Sequence, residues 1–211
     1  MTEIQLRAAL CEVGRRLWQR GLVGASEGNV SARLSARQIL CTPSGVSKGH
    51  LKPDDIVVVD TGGNVVRGGE PSVETALHLH IYRRRPDCQA IVHAHPPIAT
   101  GTALAGEDIP DNVLPEAAIV LGSVAFVPFA LPGTPEVPAA IDPLLDDHKT
   151  FLLSHHGALT LGRDPFDAYA RMETLERVAH MLLIARLLGG ARPMPGEAFD
   201  HLLKTALNGE L

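Results

Sequence analysis

The sequence predicts an α/β fold, a three-layer α/β/α sandwich around a mostly antiparallel central sheet. Segments with helical spacing and segments with strand-like alternation follow one another in mixed order along the 211 residues. Two pairs of strand-like segments are joined by short turns, as in hairpins, which favours antiparallel pairing. The composition, 45% hydrophobic and 20% charged, is ordinary for a globular protein. We therefore expect one domain over residues 1–211.

The first third of the chain predicts a helix followed by the two hairpins. Apolar residues recur at helical spacing from Ile4 to Leu17, and the pattern stops before Gly21. A segment from Val30 to Leu34 alternates as a strand does, and "QILCTPSG" is its expected partner. "DIVVVDTGGNVVRGG" predicts the second hairpin around its Gly-Gly-Asn turn.

The rest of the chain predicts further helices and strands. Helices are expected in "PSVETALHLHIYRRRPD", "PPIATGTALAG", the proline-broken "TPEVPAAIDPLLDDH", "DPFDAYARMETLERVAHMLLIARLLGG" and the segment from Glu197 to Leu207. Strands are expected in "CQAIVHAHP", "SVAFVPF" and "TFLLSHHG", of which the last runs into a glycine turn.

Charge and cysteine content argue against several classes of protein. The formal charge of −5 and the lack of a basic stripe argue against nucleic-acid binding. No run approaches the roughly 18 apolar residues that a membrane span needs. The three cysteines form no C-x-x-C, which indicates reduced core thiols and a cytoplasmic location.

Two histidines two residues apart, His93 and His95, lie in the predicted strand "IVHAHPP". Residues i and i+2 of a strand face the same way, so both imidazoles can reach one metal ion. The alternative is a pair of hydrogen-bonded histidines at a strand end. His78 and His80 have the same spacing but lie in a predicted helix, where they would point to nearly opposite sides.

A third histidine ligand is available at the end of another predicted strand. His155 and His156 stand there beside Gly157. Three histidines that leave coordination positions open are typical of a catalytic zinc site. Glu74, early in the predicted helix from Pro71, could overlook the ion. It could instead stabilise the helix dipole or pair with His78 at i,i+4.

Three segments have the chemistry of a phosphate cradle: "SEGN", "TPSG" and "EPS". The last opens the predicted helix, whose free N–H groups favour an anion. Each could also be an ordinary turn, and Ser72 could be a helix cap. Lys48 could add charge to the second segment, although a surface role is more usual for a lysine.

The order "SEGNVS", "TPSG", "PSVE", "HAH" and "SHHG" resembles the class II aldolase family typified by L-fuculose-phosphate aldolase, which includes the adducin head domain. The resemblance runs from residue 5 to residue 190. It implies a class II aldolase-like sandwich that assembles as a homotetramer with sites between subunits. It also implies a cytoplasmic lyase of carbohydrate metabolism.

The resemblance implies a Zn²⁺, or another divalent ion, held by His93, His95 and His156, with His155 beside the site. Glu74 falls on the family's acid/base carboxylate, and moving a proton would need its pKa raised toward the working pH. Five residues fall on positions that hold the substrate phosphate and the hydroxy-ketone end: Gly28, Asn29, Ser44, Gly45 and Ser72.

Three departures from the family pattern stand out, of which the first concerns the phosphate and the other two concern the aldehyde end of the substrate. Val73 stands where the aldolases usually have a second serine, Glu116 stands where they have a tyrosine, and the C-terminal segment lacks their late tyrosine. Glu116 is thus only a candidate for the general acid. The residues expected to bind the metal and to stabilise the enolate match the family pattern.

The implied reaction is reversible retro-aldol cleavage of a phosphorylated ketose, similar to L-fuculose 1-phosphate, into dihydroxyacetone phosphate and an aldehyde. It would pass through a metal-stabilised enediolate. Four alternatives on the same fold stay open. They are a sugar-phosphate epimerase, a 3-oxo acid phosphate decarboxylase, a dehydratase and a non-catalytic adducin-like interaction domain.

Overall fold

The structure, a computed structural model, describes residues 1–207 and contains one eight-stranded sheet. The strands are β1 (Asn29–Arg33), β2 (Gln38–Cys41), β3 (Val57–Asp60), β4 (Val65–Arg67), β5 (Ala90–Ala94), β6 (Val124–Val127), β7 (Thr150–Leu153) and β8 (Gly157–Gly162). The helices are α1 (Glu3–Gln19), α2 (Thr75–Arg84), α3 (Pro97–Leu104), α4 (Glu136–Ile141), α5 (Pro165–Leu187) and α6 (Gly196–Leu207). Short 3₁₀ turns lie at Lys48–His50, Pro53–Asp55 and Asp142–Leu144, and a π-helical turn lies at Ala117–Leu121.

The strand order is β4-β3-β2-β1-β5-β8-β7-β6. All neighbours pair antiparallel except β6 and β7, which are parallel. A parallel pair needs a long crossover, and α4 lies in the connection between these two strands. The prediction of a mostly antiparallel sheet is confirmed, and the sheet is mixed.

Helices cover both faces of the sheet, as predicted. One hydrophobic cluster joins α1, α3 and α5 to one face, where Val92 of β5 packs. A second cluster joins α2 and α4 to the other face, where Ile91 packs. Since side chains alternate along a strand, His93 projects from the same face as Ile91, the face that α2 covers.

The ends of the long helices follow the residues that predicted them. The Thr2 hydroxyl accepts a hydrogen bond from the Gln5 N–H before α1, and the chain leaves the helix at Gly21, where φ is +68°. The Asp164 carboxylate accepts hydrogen bonds from two N–H groups in the first turn of α5. Both helices were expected at these positions.

Two elements differ from the prediction. Helix α2 begins at Thr75 rather than at Pro71, because Pro71 pairs with Pro43 in an isolated bridge and the Ser72 N–H donates to the Thr42 carbonyl at 3.2 Å. These contacts hold residues 70–72 extended beside the "TPSG" turn.

Strand β8 was not predicted. Its sequence, "GALTLG", begins and ends with glycine, and it is a strand because β5 and β7 pair with it on both sides.

All three cysteines are free thiols. Cys41 and Cys88 are core residues, as predicted, whereas Cys11 is half-buried on α1. Burial raises the pKa of Cys41 to about 11 and that of Cys88 to about 12. Such thiols are poor nucleophiles.

Within residues 1–207, no helix combines the length and the apolar character that crossing a membrane requires.

Candidate active site

Three histidines from two neighbouring strands converge at one end of the sheet. His93 ends β5, His95 follows it, and His156 lies in the turn between β7 and β8. Because Ala94 pairs with Ala158, that turn lies next to the end of β5. One ring nitrogen of each histidine lies within 4.8 Å of the others, and the Nε2 atoms of His93 and His95 are 3.2 Å apart.

Contacts outside the cluster orient two of these rings. The Nδ1 atom of His93 lies 2.9 Å from the Ala158 carbonyl oxygen, so Nδ1 donates there and Nε2 keeps its lone pair for the cluster. The Nδ1 atom of His95 lies 3.4 Å from the Glu27 carboxylate, which again turns Nε2 inward. Sequence reasoning overlooked Glu27, although it is the second residue of the "SEGN" motif.

The adjacent His155 lies outside the cluster. Its backbone is left-handed, with φ +57°, so its side chain leaves the turn in another direction from that of His156. The ring packs against Phe129 with the centroids 5.9 Å apart, and its Nδ1 atom lies 2.9 Å from the Ser154 hydroxyl. The residue is exposed.

The two helical histidines have separate partners, as their spacing predicts. The Nδ1 atom of His78 lies 2.6 Å from the Ser31 hydroxyl in the core. The Nε2 atom of His80 lies 2.6 Å from an Asp142 carboxylate oxygen. They do not form a chelating pair.

The Glu74 carboxylate lies against the histidine cluster. Its oxygens are 3.1 Å from His93 Nε2 and 3.4 Å from His156 Nε2, and the Asn29 amide donates to it at 2.7 Å. Glu74 is the N-cap residue of α2, but its side chain makes no capping hydrogen bond. Its contacts are therefore with the cluster rather than with the helix N-terminus or His78.

The charges of this group are coupled. Burial alone would raise the pKa of Glu74, but the charges and hydrogen bonds of His93, His156 and Asn29 outweigh burial and hold it well below its usual range. Burial lowers the pKa of His93, but the negative charge of Glu74 raises it by more. The net pKa of His93 is therefore above its ordinary value. Burial and the charge of His93 lower the pKa of His156 to about 4. In the absence of metal Glu74 is thus a carboxylate at neutral pH, contrary to the raised pKa expected from its proposed role.

The histidine cluster opens into a cleft of about 400 Å³. All five residues predicted to hold the phosphate and the hydroxy-ketone end line this cleft, together with Glu74, His95 and His156. Pro132 and Gly133, from the segment after β6, form another part of the wall and were not predicted. The amide nitrogen of Asn29 donates to Glu74, and its buried Oδ1 atom has no hydrogen-bond partner among residues 1–207.

Gly28 allows the "SEGN" loop to approach the strand that carries the metal ligands. Its φ is +66°, and a Cβ atom there would lie 2.7 Å from the His93 carbonyl oxygen and 2.8 Å from Val23 Cγ1. A real Cβ atom does not fit at such distances. Gly45 has a similar φ, +69°, but its missing Cβ would point into open space.

Lys48 is buried, so the surface role favoured from the sequence is wrong. The residue is only 2% exposed. Its Nζ atom donates to the Ser26 carbonyl at 2.9 Å and to the Val46 carbonyl at 2.7 Å, and the residue lines the cleft. Sequence alone misses this burial because nothing in "VSKGH" marks it.

The residues that depart from the family pattern are placed as follows. Val73 is 72% exposed and borders the cleft, whereas Glu116 is exposed and is not among the residues that line it. The sequence has two tyrosines, Tyr82 and Tyr169, and both are buried in the hydrophobic clusters. Neither borders the cleft.

The histidine cluster fits a divalent metal ion. Three imidazole nitrogens lie within 4.8 Å of one another, and a carbonyl fixes the tautomer of the most buried ring. A carboxylate lies beside them, and the cleft leaves space for further oxygen ligands. This combination is typical of a catalytic rather than a structural site.

Residues 8–183 match the family model for the Class II Aldolase and Adducin N-terminal domain. The chain therefore belongs to the class II aldolase and adducin family, and the predicted resemblance is confirmed.

Its relatives include proteins with different reactions. The chain is 32% identical over 185 residues to a 3-oxo-tetronate 4-phosphate decarboxylase of Haemophilus influenzae, with 86% of this chain and 88% of the relative covered. It is 36% identical over 177 residues to an L-fuculose phosphate aldolase of Methanocaldococcus jannaschii, with 84% and 95% covered. The solved structure of an L-fuculose 1-phosphate aldolase superimposes with a TM-score of 0.87 at 29% identity, covering 95% of each chain.

Proposed function

We propose that this chain is a metal-dependent class II aldolase, a carbon–carbon lyase of the aldehyde-lyase type. It cleaves a phosphorylated ketose, similar to L-fuculose 1-phosphate, reversibly into dihydroxyacetone phosphate and an aldehyde. The observation that carries the proposal is the Glu74 carboxylate lying 3.1 and 3.4 Å from two of three convergent histidines, at the end of a cleft with polar loops. The similarity to aldolases over most of the chain supports it.

The residues that would hold the metal are His93, His95 and His156, and Zn²⁺ is the expected ion, although another divalent ion would also suit three imidazoles. When bound, such an ion supplies a Lewis acid that stabilises negative charge on substrate oxygens. Glu27 keeps the His95 ring in place from outside the ligand set.

Glu74 moves the proton at carbon. In the cleavage direction the bond beside the ketone breaks, its electron pair enters an enediolate, and the departing carbon becomes an aldehyde as its hydroxyl gives its proton to water in the cleft. Glu74, protonated from solvent, then gives a proton to the enediolate carbon and returns to the carboxylate form. In the reverse direction the Glu74 carboxylate removes that proton, for which its pKa would have to rise toward the working pH from the low value that the neighbouring histidines impose. The Asn29 amide at 2.7 Å fixes the direction in which the carboxylate faces.

The loops opposite the histidines would hold the phosphate. Ser44, Gly45 and Ser72 lie together because the Ser44 N–H donates to Glu70 and the Ser72 N–H donates to Thr42. Gly28 brings the "SEGN" loop to the same cleft. Binding energy from the phosphate would orient the distant carbon–carbon bond beside Glu74.

Decarboxylation of a 3-oxo acid phosphate is the second candidate reaction. The positions of the two tyrosines, both away from the cleft, favour it. Retro-aldol cleavage must take a proton from the substrate hydroxyl, yet both tyrosines of this chain are buried away from the cleft. Loss of CO₂ yields the same enediolate without that proton transfer. A decarboxylase is also among the similar proteins.

We further propose a cytoplasmic homotetramer in which residues 1–211 form a single class II aldolase-like domain, with sites at subunit interfaces. Glu116 is exposed and does not line the cleft of its own chain, so it would act at the aldehyde end only from a neighbouring subunit.

The reaction is tested with a panel of ketose 1-phosphates, ketose 5-phosphates and 3-oxo acid phosphates, each incubated with and without a chelator. Release of an aldehyde with dihydroxyacetone phosphate supports the aldolase, whereas release of CO₂ supports the decarboxylase. The Glu74→Gln variant, loaded with metal, is the control for background cleavage. Turnover that survives both the chelator and this substitution would remove the proposed site from the reaction.

A further inference from the structure

A buried lysine lies among the loops of the cleft, and no carboxylate of the described part of the chain pairs with it. Lys48 is 2% exposed and its ammonium group donates to two backbone carbonyls, those of Ser26 and Val46. An ammonium group has three protons, so two carbonyls do not exhaust it. Within residues 1–207 no carboxylate forms an ion pair with it, and burial alone lowers its pKa to about 8.

The carboxylates of the same cleft are engaged elsewhere. Glu27 lies against His95, and Glu74 lies against His93 and His156. A buried ammonium without an anionic partner is costly, because carbonyl oxygens replace only part of its hydration. The cleft therefore has a positive charge for which residues 1–207 supply no anionic partner.

The backbone of Lys48 is held from behind by α1. A Cβ atom at Gly14 would lie 2.6 Å from the Lys48 carbonyl oxygen, and a Cβ atom at Gly49 would lie 2.5 Å from the Trp18 ring. Both glycines are thus in close contact across the interface between α1 and the turn Lys48–His50. The side chain extends from this anchored turn to the two loops.

The two carbonyls that Lys48 binds belong to the two loops of the proposed phosphate cradle. Ser26 precedes Gly28 in the "SEGN" loop, and Val46 follows Gly45 in the "TPSG" loop. The ammonium group therefore links the loops and places a positive charge between them. Neutral hydroxyl ligands would gain little from this charge, whereas a phosphate would gain much.

We propose that Lys48 is the fixed cation of the phosphate cradle, a specificity-determining residue that selects substrates with a phosphate over neutral sugars. The inference rests on the proposed function, since it assumes that these loops bind the phosphate. It adds a residue that none of the phosphate motifs contains.

The probe is inorganic phosphate, titrated into the metal-loaded protein by calorimetry and again into protein stripped of metal, where phosphate cannot bind the ion. Lys48→Met removes the charge and both hydrogen bonds, and Lys48→Gln removes the charge but keeps a donor. Lys52→Met is the matched control, because Lys52 is exposed, four residues away and not part of the cleft wall. The emission of Trp18, the single tryptophan, reports whether the turn still packs on α1.

We expect both Lys48 variants to bind phosphate at least about tenfold more weakly in both metal states, and Lys52→Met to bind within about twofold of the wild type. Wild-type affinity in a Lys48 variant with native Trp18 emission would overturn the inference and leave the phosphate site standing. If the wild type itself binds no phosphate, the inference and the proposed phosphorylated substrate both fail. If neither Lys48 variant folds, the residue serves to hold the two loops together in the folded protein, and the proposed selective role is rejected.

Discussion

Replacing Gly28 with alanine tests whether the close approach of two backbones holds the site together. The substitution places a methyl group 2.7 Å from the His93 carbonyl oxygen and 2.8 Å from Val23 Cγ1, at a φ of +66°. A left-handed backbone costs a non-glycine residue roughly 1–2 kcal/mol. Overpacking a tight site costs roughly 1–3 kcal/mol more. We therefore expect the free energy of unfolding to fall by roughly 2–5 kcal/mol.

Gly45→Ala is the matched control. Its φ is +69°, nearly the same as that of Gly28, but no heavy atom lies within 4 Å of the added methyl group. It should lose only the conformational part, roughly 1–2 kcal/mol. The difference between the two variants isolates the collision with the strand of His93.

The two variants are compared by chemical denaturation and by thermal unfolding. A chain of this length loses roughly 2–4 °C in Tm per kcal/mol, so we expect Gly28→Ala to lower Tm by roughly 4–20 °C. Because the collision is with the backbone of a proposed metal ligand, affinity for added Zn²⁺ should also fall in Gly28→Ala and not in Gly45→Ala. Equal losses of stability in the two variants would refute the argument from the collision.

Three further substitutions test the site and its surroundings. Glu74→Gln should retain metal but lose most turnover, and unchanged activity would remove Glu74 from the mechanism. His156→Ala should lose metal in elemental analysis whereas His155→Ala should not; the reverse would show that the ligand is assigned to the wrong histidine. Burial lowers the pKa of His78 to about 3 from 6.5. Between these values the unfolded chain binds a proton that the folded chain does not, so the free energy of unfolding falls by about 1.4 kcal/mol per pH unit as pH decreases. His78→Gln should make that slope shallower, and an identical slope in acid denaturation would contradict the assignment.

Local patterns were sufficient to predict most elements and the pairing of His93 with His95, whereas the choice of His156 over His155 came from the family resemblance. Strand alternation placed His93 and His95 on one face, and the helical spacing of His78 and His80 separated them. Capping residues such as Asp164 marked where helices begin. These inferences need only neighbours in sequence.

Features that depend on distant partners were missed. Strand β8 was not predicted, because its pairing with β5 and β7 cannot be seen in its six residues alone. The start of α2 was placed too early, since the bridge from Pro71 to Pro43 joins segments 28 residues apart in number. Burial of Lys48 depends on α1 and on two loops at once.

The contact between α1 and the turn at Lys48 has a consequence for how substrate preference could change during evolution. Gly14 touches the back of that turn and Trp18 covers Gly49, while neither Gly14 nor Trp18 borders the cleft. A larger residue at position 14 must push the turn forward, together with the ammonium group it carries. Laboratory selection for activity on new sugar substrates should therefore recover substitutions in α1. The residues that line the cleft would not by themselves indicate these positions.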